Sequence, residues 1–138
     1  MFHKILVPLD FTAENQAALR LAREMAVRDG AQILLLHVIE TLQDVSFEEM
    51  RDFYERLERR ARTKLAEAAA SFDEPGAVHQ DVVYGRRPEA IVAHAAEHGT
   101  DLILLSSHRL GAERPLAAIG TISHKVAVLA ECPVLLVK

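Results

Sequence analysis

An α/β domain built on a parallel sheet is predicted by three features of the sequence. Short apolar runs alternate with helical stripes along all 138 residues. The segments between runs are long enough to hold a crossover helix, which parallel strands require. Half of the residues are hydrophobic but only 5% are aromatic, which suits an aliphatic core covered by helices.

The elements follow in order. Lys4–Leu9 is an apolar run of the kind buried on both faces, and Pro8, which cannot donate to a ladder, should finish the strand there. Asp10 then stands at the strand's carboxyl end. Thr12 is placed as an N-cap, with Ala17, Ala18, Leu21, Ala22, Met25 and Ala26 as one stripe and Gly30 as the C-terminal glycine. Gln32–Ile39 is a second strand. Ser46 and Glu49 fit a capping box ahead of a long helix whose stripe is Phe47, Met50, Phe53 or Tyr54, Leu57, Ala61, Leu65, Ala68 and Phe72. Asp73–Gly76 is a turn. Val78–Tyr84 reads as a less buried strand at an edge. Pro88 opens a helix that Gly99 ends, Leu102–Leu105 is the fourth strand, a helix runs from about Thr121 to Ala130, and Val134–Val137 is the last strand. The prediction is one domain over residues 1–138.

Composition narrows the function. A net charge of −4 and a pI near 6.0 give no general basic surface for nucleic acid or anionic lipid. No apolar run approaches the ~20 residues of a membrane span, and Met1–Lys4 leads straight into a strand. A single cysteine, Cys132, excludes an internal disulfide framework and reads as a buried small hydrophobe. The expected location is the cytoplasm, with neither nucleic acid nor membrane as a partner.

Ser106–Thr121 is the stretch of most chemical interest. A strand ending in small polar residues, a glycine-containing loop and a helix start can place free backbone N–H groups and the helix dipole against an anion. The same layout serves equally as a plain connection. Lysine and arginine are few in this stretch, so backbone dipoles would carry much of any anion recognition. Neither a P-loop nor a Gly-x-Gly-x-x-Gly pattern occurs.

Two catalytic readings are set aside. Asp10, Ser106, Ser107 and His108 contain the types of a hydrolase triad, but no Gly-x-Ser-x-Gly elbow surrounds either serine. His94-Ala-Ala-Glu-His98 matches a zinc-peptidase pattern with both histidines on one helix face, yet spacing identifies no carboxylate to join them. Helix packing is the simpler reading. No catalytic residue and no metal ligand is assigned, and His3, His37, His79 and His124 have no ligand spacing.

Five blocks together resemble the universal stress protein (UspA) family. They are Lys4–Asp10, Gly30–Val38, Gly85 with Pro88–Ile91, Asp101–His108, and Gly120-Thr121 through Cys132–Val137. The resemblance covers essentially the whole chain. It implies a Rossmann-like, adenine nucleotide alpha hydrolase-like α/β/α domain with a five-stranded parallel sheet, order 3-2-1-4-5. Strands one and four are then neighbours, and the usual assembly is a homodimer. Members that bind ATP carry Gly-x2-Gly-x9-Gly-[Ser/Thr]. Here Ser106 and Arg109 stand where the first two glycines would be, ten residues separate Arg109 from Gly120, and Pro115 removes an N–H from the loop. Taking Gly111 as the second glycine leaves a gap of eight.

By the same resemblance, Pro8, Leu9 and Asp10 with the backbone at Val38 would hold ribose and adenine. Ser106, Ser107, His108, Arg109 and Gly111 would line the phosphate side. Gly120, Thr121, Ile122 and Ser123 would offer the helix start to the phosphates. ATP or another adenine nucleotide, with Mg2+ accompanying it, is the implied ligand of a stress-response protein. A nucleotide-free dimeric signalling or scaffolding protein is the alternative, with slow ATP hydrolysis less favoured. In the implied order the last strand is an apolar edge guarded only by Lys138, so pairing with the same strand of a second copy is expected.

Overall fold

The computed structural model describes residues 1–107 and 121–138. Five strands, β1 (Lys4–Pro8), β2 (Gln32–Ile39), β3 (Val78–Tyr84), β4 (Leu102–Ser106) and β5 (Val134–Val137), form one parallel sheet in the order β3-β2-β1-β4-β5. The helices α1 (Asn15–Asp29), α2 (Arg51–Ala70), α3 (Arg87–Glu97) and α4 (Ile122–Leu129) fill the crossovers.

Alternation along the central strands sorts the interior into two layers. Ile5, Val7, Ile33, Leu35, Leu102 and Leu104 pack with α1 and α2 residues such as Ala22, Met25, Tyr54 and Leu65. Leu6, Leu34, Leu36, Ile103 and Leu105 pack with Ile91 and Ala95 of α3 and Val126 of α4. Both faces of β1 and β4 are therefore covered, which is why their sequences are unbroken apolar runs. Asp101 ties the two together at their starts. Its carboxylate accepts from the His3 and Lys4 backbone N–H groups at 2.8 and 3.0 Å.

The structure moves several predicted features. Thr12 does not cap α1: its N–H and hydroxyl both bond the Asp10 carboxylate, at 3.1 and 2.7 Å, so the chain makes a turn and the regular helix starts at Asn15. The buried face is Asn15, Ala18, Leu19, Ala22 and Met25, with Ala17, Leu21 and Ala26 half-buried on its flank. Ser46 Oγ does accept from the Glu49 N–H, at 3.2 Å, but α2 begins only at Arg51. Between the two aromatic choices, Tyr54 is the buried one, because its hydroxyl satisfies the Leu42 N–H at 2.8 Å while Phe53 stays at the surface. Phe47 is also exposed and stacks on Tyr54 rather than entering the core. Cys132 is half-buried, and partial desolvation raises its thiol pKa.

Candidate functional site

The carboxyl ends of β1 and β4 lie side by side, and the sheet order reverses between them. One neighbour of β1 is β2; from β4 the sheet continues outward to β5. Crossovers diverge at such a point and leave a crevice. Here it measures about 770 Å³, within the range of small-ligand sites.

Asn15 holds the crevice floor. Its Oδ1 accepts from the Asp10 and Phe11 N–H groups at 3.0 and 2.8 Å, and its Nδ2 donates to Ser106 Oγ at 2.9 Å. One buried amide thus joins the ends of β1 and β4. Phe11 has a φ of 67°, unusual for a residue with a side chain. The Asn15 carbonyl and a stack of the Phe11 ring on His37, 4.3 Å between centroids, hold it there.

His37 in turn faces the Leu9 carbonyl through Nδ1 at 2.7 Å. A carbonyl only accepts, so Nδ1 carries the hydrogen. Burial lowers the His37 pKa from its ordinary 6.5, outweighing the opposing effect of that hydrogen bond. The unfolded chain therefore takes up a proton at a pH where the folded chain does not. The His37 contribution to stability is complete above about pH 6.5 and is lost as pH falls through the lowered value. Thermal unfolding of the wild type and His37→Asn from pH 8 to pH 5 should show a smaller acid-side decline in the variant; parallel declines would exclude His37 as a source.

The far wall is the start of α4. Thr121 caps it by accepting from the His124 N–H at 3.2 Å. Thr121, Ile122 and Ser123 line the crevice there. Leu36, Val38, Ile91 and Leu105 add apolar lining to the same crevice. A flat apolar ring and an anionic group would thus find complementary surroundings in one space.

Of the residues singled out in the sequence, Pro8, Leu9, Asp10, Val38, Ser106, Ser107, Thr121, Ile122 and Ser123 line this one crevice. His108, Arg109, Gly111 and Gly120 lie outside the described residues, as does Pro115. Sequence reasoning missed Asn15, Arg87, His124 and Lys138, all of which line it. Arg87 and Lys138 bring cationic side chains to the crevice from outside the Ser106–Thr121 stretch. Arg87 was findable: in a parallel sheet the helix after β3 begins at the ligand-binding end, and Arg87 is its first residue. Its guanidinium lies 3.6 Å from the exposed Glu40 carboxylate.

The architecture is that of a doubly wound α/β protein with a crevice at its switch point. The profile of the Universal stress protein family matches residues 1–138, and the chain belongs to that family. A universal stress protein from Thermus aquaticus, encoded in a QAH/OAS sulfhydrylase 3' region, is 34% identical over 140 residues and covers 100% of both chains. The structure of hypothetical protein MJ0577 of Methanocaldococcus jannaschii superposes with a TM-score of 0.82 at 29% identity, over 100% of this chain and 96% of that one. Two more distant structures share the fold. One is a universal stress protein in complex with cAMP, with a TM-score of 0.74, 18% identity and coverage of 99% and 97%. The other, from Archaeoglobus fulgidus, is in complex with dAMP, with a TM-score of 0.66, 20% identity and coverage of 99% and 98%. Among the described residues no helix is long and apolar enough to cross a membrane.

Proposed function

We propose that this universal stress protein binds an adenine nucleotide, ATP foremost, across the ends of β1 and β4, and acts as a cytoplasmic binding and signalling protein in the stress response. One observation carries the reading. The Asp10 turn and the start of α4 line the same crevice, together with the apolar side chains of Leu36, Val38, Ile91 and Leu105. Asp10 would receive the ribose hydroxyls, the slot beside Val38 the adenine, and the first turn of α4 the phosphates. Arg87 and Lys138 add cationic charge. The cAMP and dAMP complexes of the more distant relatives make an adenylate the natural first ligand to test.

The residues fit Mg2+ only as a companion of the nucleotide. Asp10 is the one carboxylate among the described lining residues and belongs to the ribose side, so phosphates and water would supply the ion's ligands. Catalysis is not part of the proposal. Ser106, the serine a hydrolase would need, accepts a hydrogen bond from Asn15 and so serves the joint between strands.

Denaturing the purified protein should release nucleotide, and calorimetry with ATP and magnesium should show saturable binding. Asp10→Ala, which removes a charge-assisted contact, should weaken ATP by about 10- to 100-fold. Failure to release or bind ATP, ADP, AMP or cAMP would overturn the reading and favour the nucleotide-free scaffold, for which the altered glycine pattern between Ser106 and Gly120 speaks.

A further inference from the structure

We propose that Asp81, His94 and His98 form a binding site for a divalent cation of the zinc class, on the α3 face of the β3 edge. The three residues each offer a ligand atom, and these atoms lie within 4.8 Å of one another. The tertiary structure supplies the carboxylate that spacing could not. Asp81 stands opposite Leu36 in the β2–β3 register, and parallel neighbours in register point to the same face. Leu36 packs in the layer of α3, so Asp81 is presented to the histidines of that helix.

Each histidine is prepared differently. His94 is 3% exposed and its Nε2 lies 3.0 Å from Asp81 Oδ2. Burial favours its neutral form, with the hydrogen bond to Asp81 opposing and the adjacent His98 assisting. A neutral imidazole is the form that ligates metal. In His98, Nδ1 donates to the His94 carbonyl at 2.9 Å, which leaves the Nε2 lone pair for another partner. A hydrogen bond that sets the tautomer of a ligating histidine is a recurrent supporting feature of metal sites. The two histidines are i, i+4 neighbours on α3, and their rings are now stacked, 3.9 Å between centroids and 16° apart, so the His98 ring has to turn for both lone pairs to meet at one ion.

The geometry requires a rotation of one imidazole. Tetrahedral zinc with bonds near 2.1 Å sets its ligand atoms about 3.4 Å apart. The Asp81–His94 pair is already closer than that, so the closing movement falls to His98. His98 is an exposed residue at the end of α3 and can rotate. Two imidazoles and one carboxylate suit zinc, cobalt or nickel better than magnesium or calcium, and three protein ligands leave the fourth position to water.

The test titrates the full chain, carrying no added histidine tag, with Zn2+ by calorimetry and with Co2+ by visible absorption. One equivalent of each should bind, Co2+ with the intense bands of a tetrahedral complex. Asp81→Asn and His98→Ala, both at accessible positions that should not disturb folding, should each weaken binding at least about tenfold. His3→Ala and His124→Ala should leave it unchanged. Wild-type binding no tighter than that of His98→Ala, or absence of stoichiometric binding, would overturn the proposal. Because the site shares no residue with the crevice, ATP affinity in His98→Ala should match the wild type, which keeps this outcome separate from the nucleotide test.

Discussion

Asn15→Leu is expected to lower the unfolding free energy by about 2–4 kcal/mol, the scale set by leaving partly buried polar groups without partners. Asn15 is 3% exposed and makes three hydrogen bonds, to the Asp10 N–H, the Phe11 N–H and Ser106 Oγ. Leucine has the same branched outline and the same number of side-chain heavy atoms, so no cavity is opened and the main loss is of hydrogen bonds. Phe11 adds to the effect, because its left-handed backbone conformation would lose one of its restraints. Asn15→Asp should be much milder: a carboxylate can still accept from both N–H groups, and the Ser106 hydroxyl can turn to donate. Urea unfolding of the three proteins reads the difference directly. A loss below about 1 kcal/mol for Asn15→Leu would show that the two strand ends are held by their apolar contacts alone. The same variant should weaken any ligand of the crevice, since Asp10 and Ser106 are both positioned through Asn15.

Leu136→Lys is expected to convert a dimer into a monomer. The assembly itself is our proposal, motivated by the edge position of β5, whose only strand partner among the described residues is β4. Leu135 and Leu136 remain 42% and 38% exposed there, and an edge strand offers its outer ladder groups to a further strand. A two-fold pairing of β5 with its copy would cover these leucines in both subunits at once. Each buried leucine contributes about 1.5–3 kcal/mol, and two-fold symmetry counts the position twice, so a lysine there should weaken association by at least about 100-fold. Sedimentation at micromolar concentration should show a dimer for the wild type and a monomer for Leu136→Lys. A monomeric wild type would remove the basis for the pairing. Leu136 also lines the crevice, so Leu135→Lys is the cleaner variant for asking whether dimerisation changes nucleotide affinity.

The fold was largely legible in the residues because burial on two faces, on one face, or on a helical stripe leaves different local patterns. The bounds of β2, β3 and β5 match their predicted runs, and Gly30 takes the left-handed conformation, φ 64°, expected of a residue closing a helix. Helix starts were less legible. Thr12 is capable of capping, but the Asp10 carboxylate captures it and the helix starts at Asn15 with no side-chain cap. The candidate site was legible only as far as it lies in continuous segments: Pro8 to Asp10, Ser106-Ser107 and Thr121 to Ser123 each announce a strand end or a helix start.

What the sequence by itself determined, then, is the set of elements and the face each buries, since both follow from the hydrophobic period along a few neighbouring residues. The tertiary structure decided which strand ends meet and what bridges them. Asn15 and Ser106 stand 91 positions apart and share a hydrogen bond. Arg87 reaches the crevice from the far side of β2, and Asp81 meets His94 across the space between an edge strand and a helix. None of these meetings leaves a mark on local hydrophobicity. A polar side chain shows in its own sequence only that it is polar; its partner is chosen by the packing of apolar layers that bring two distant backbones together.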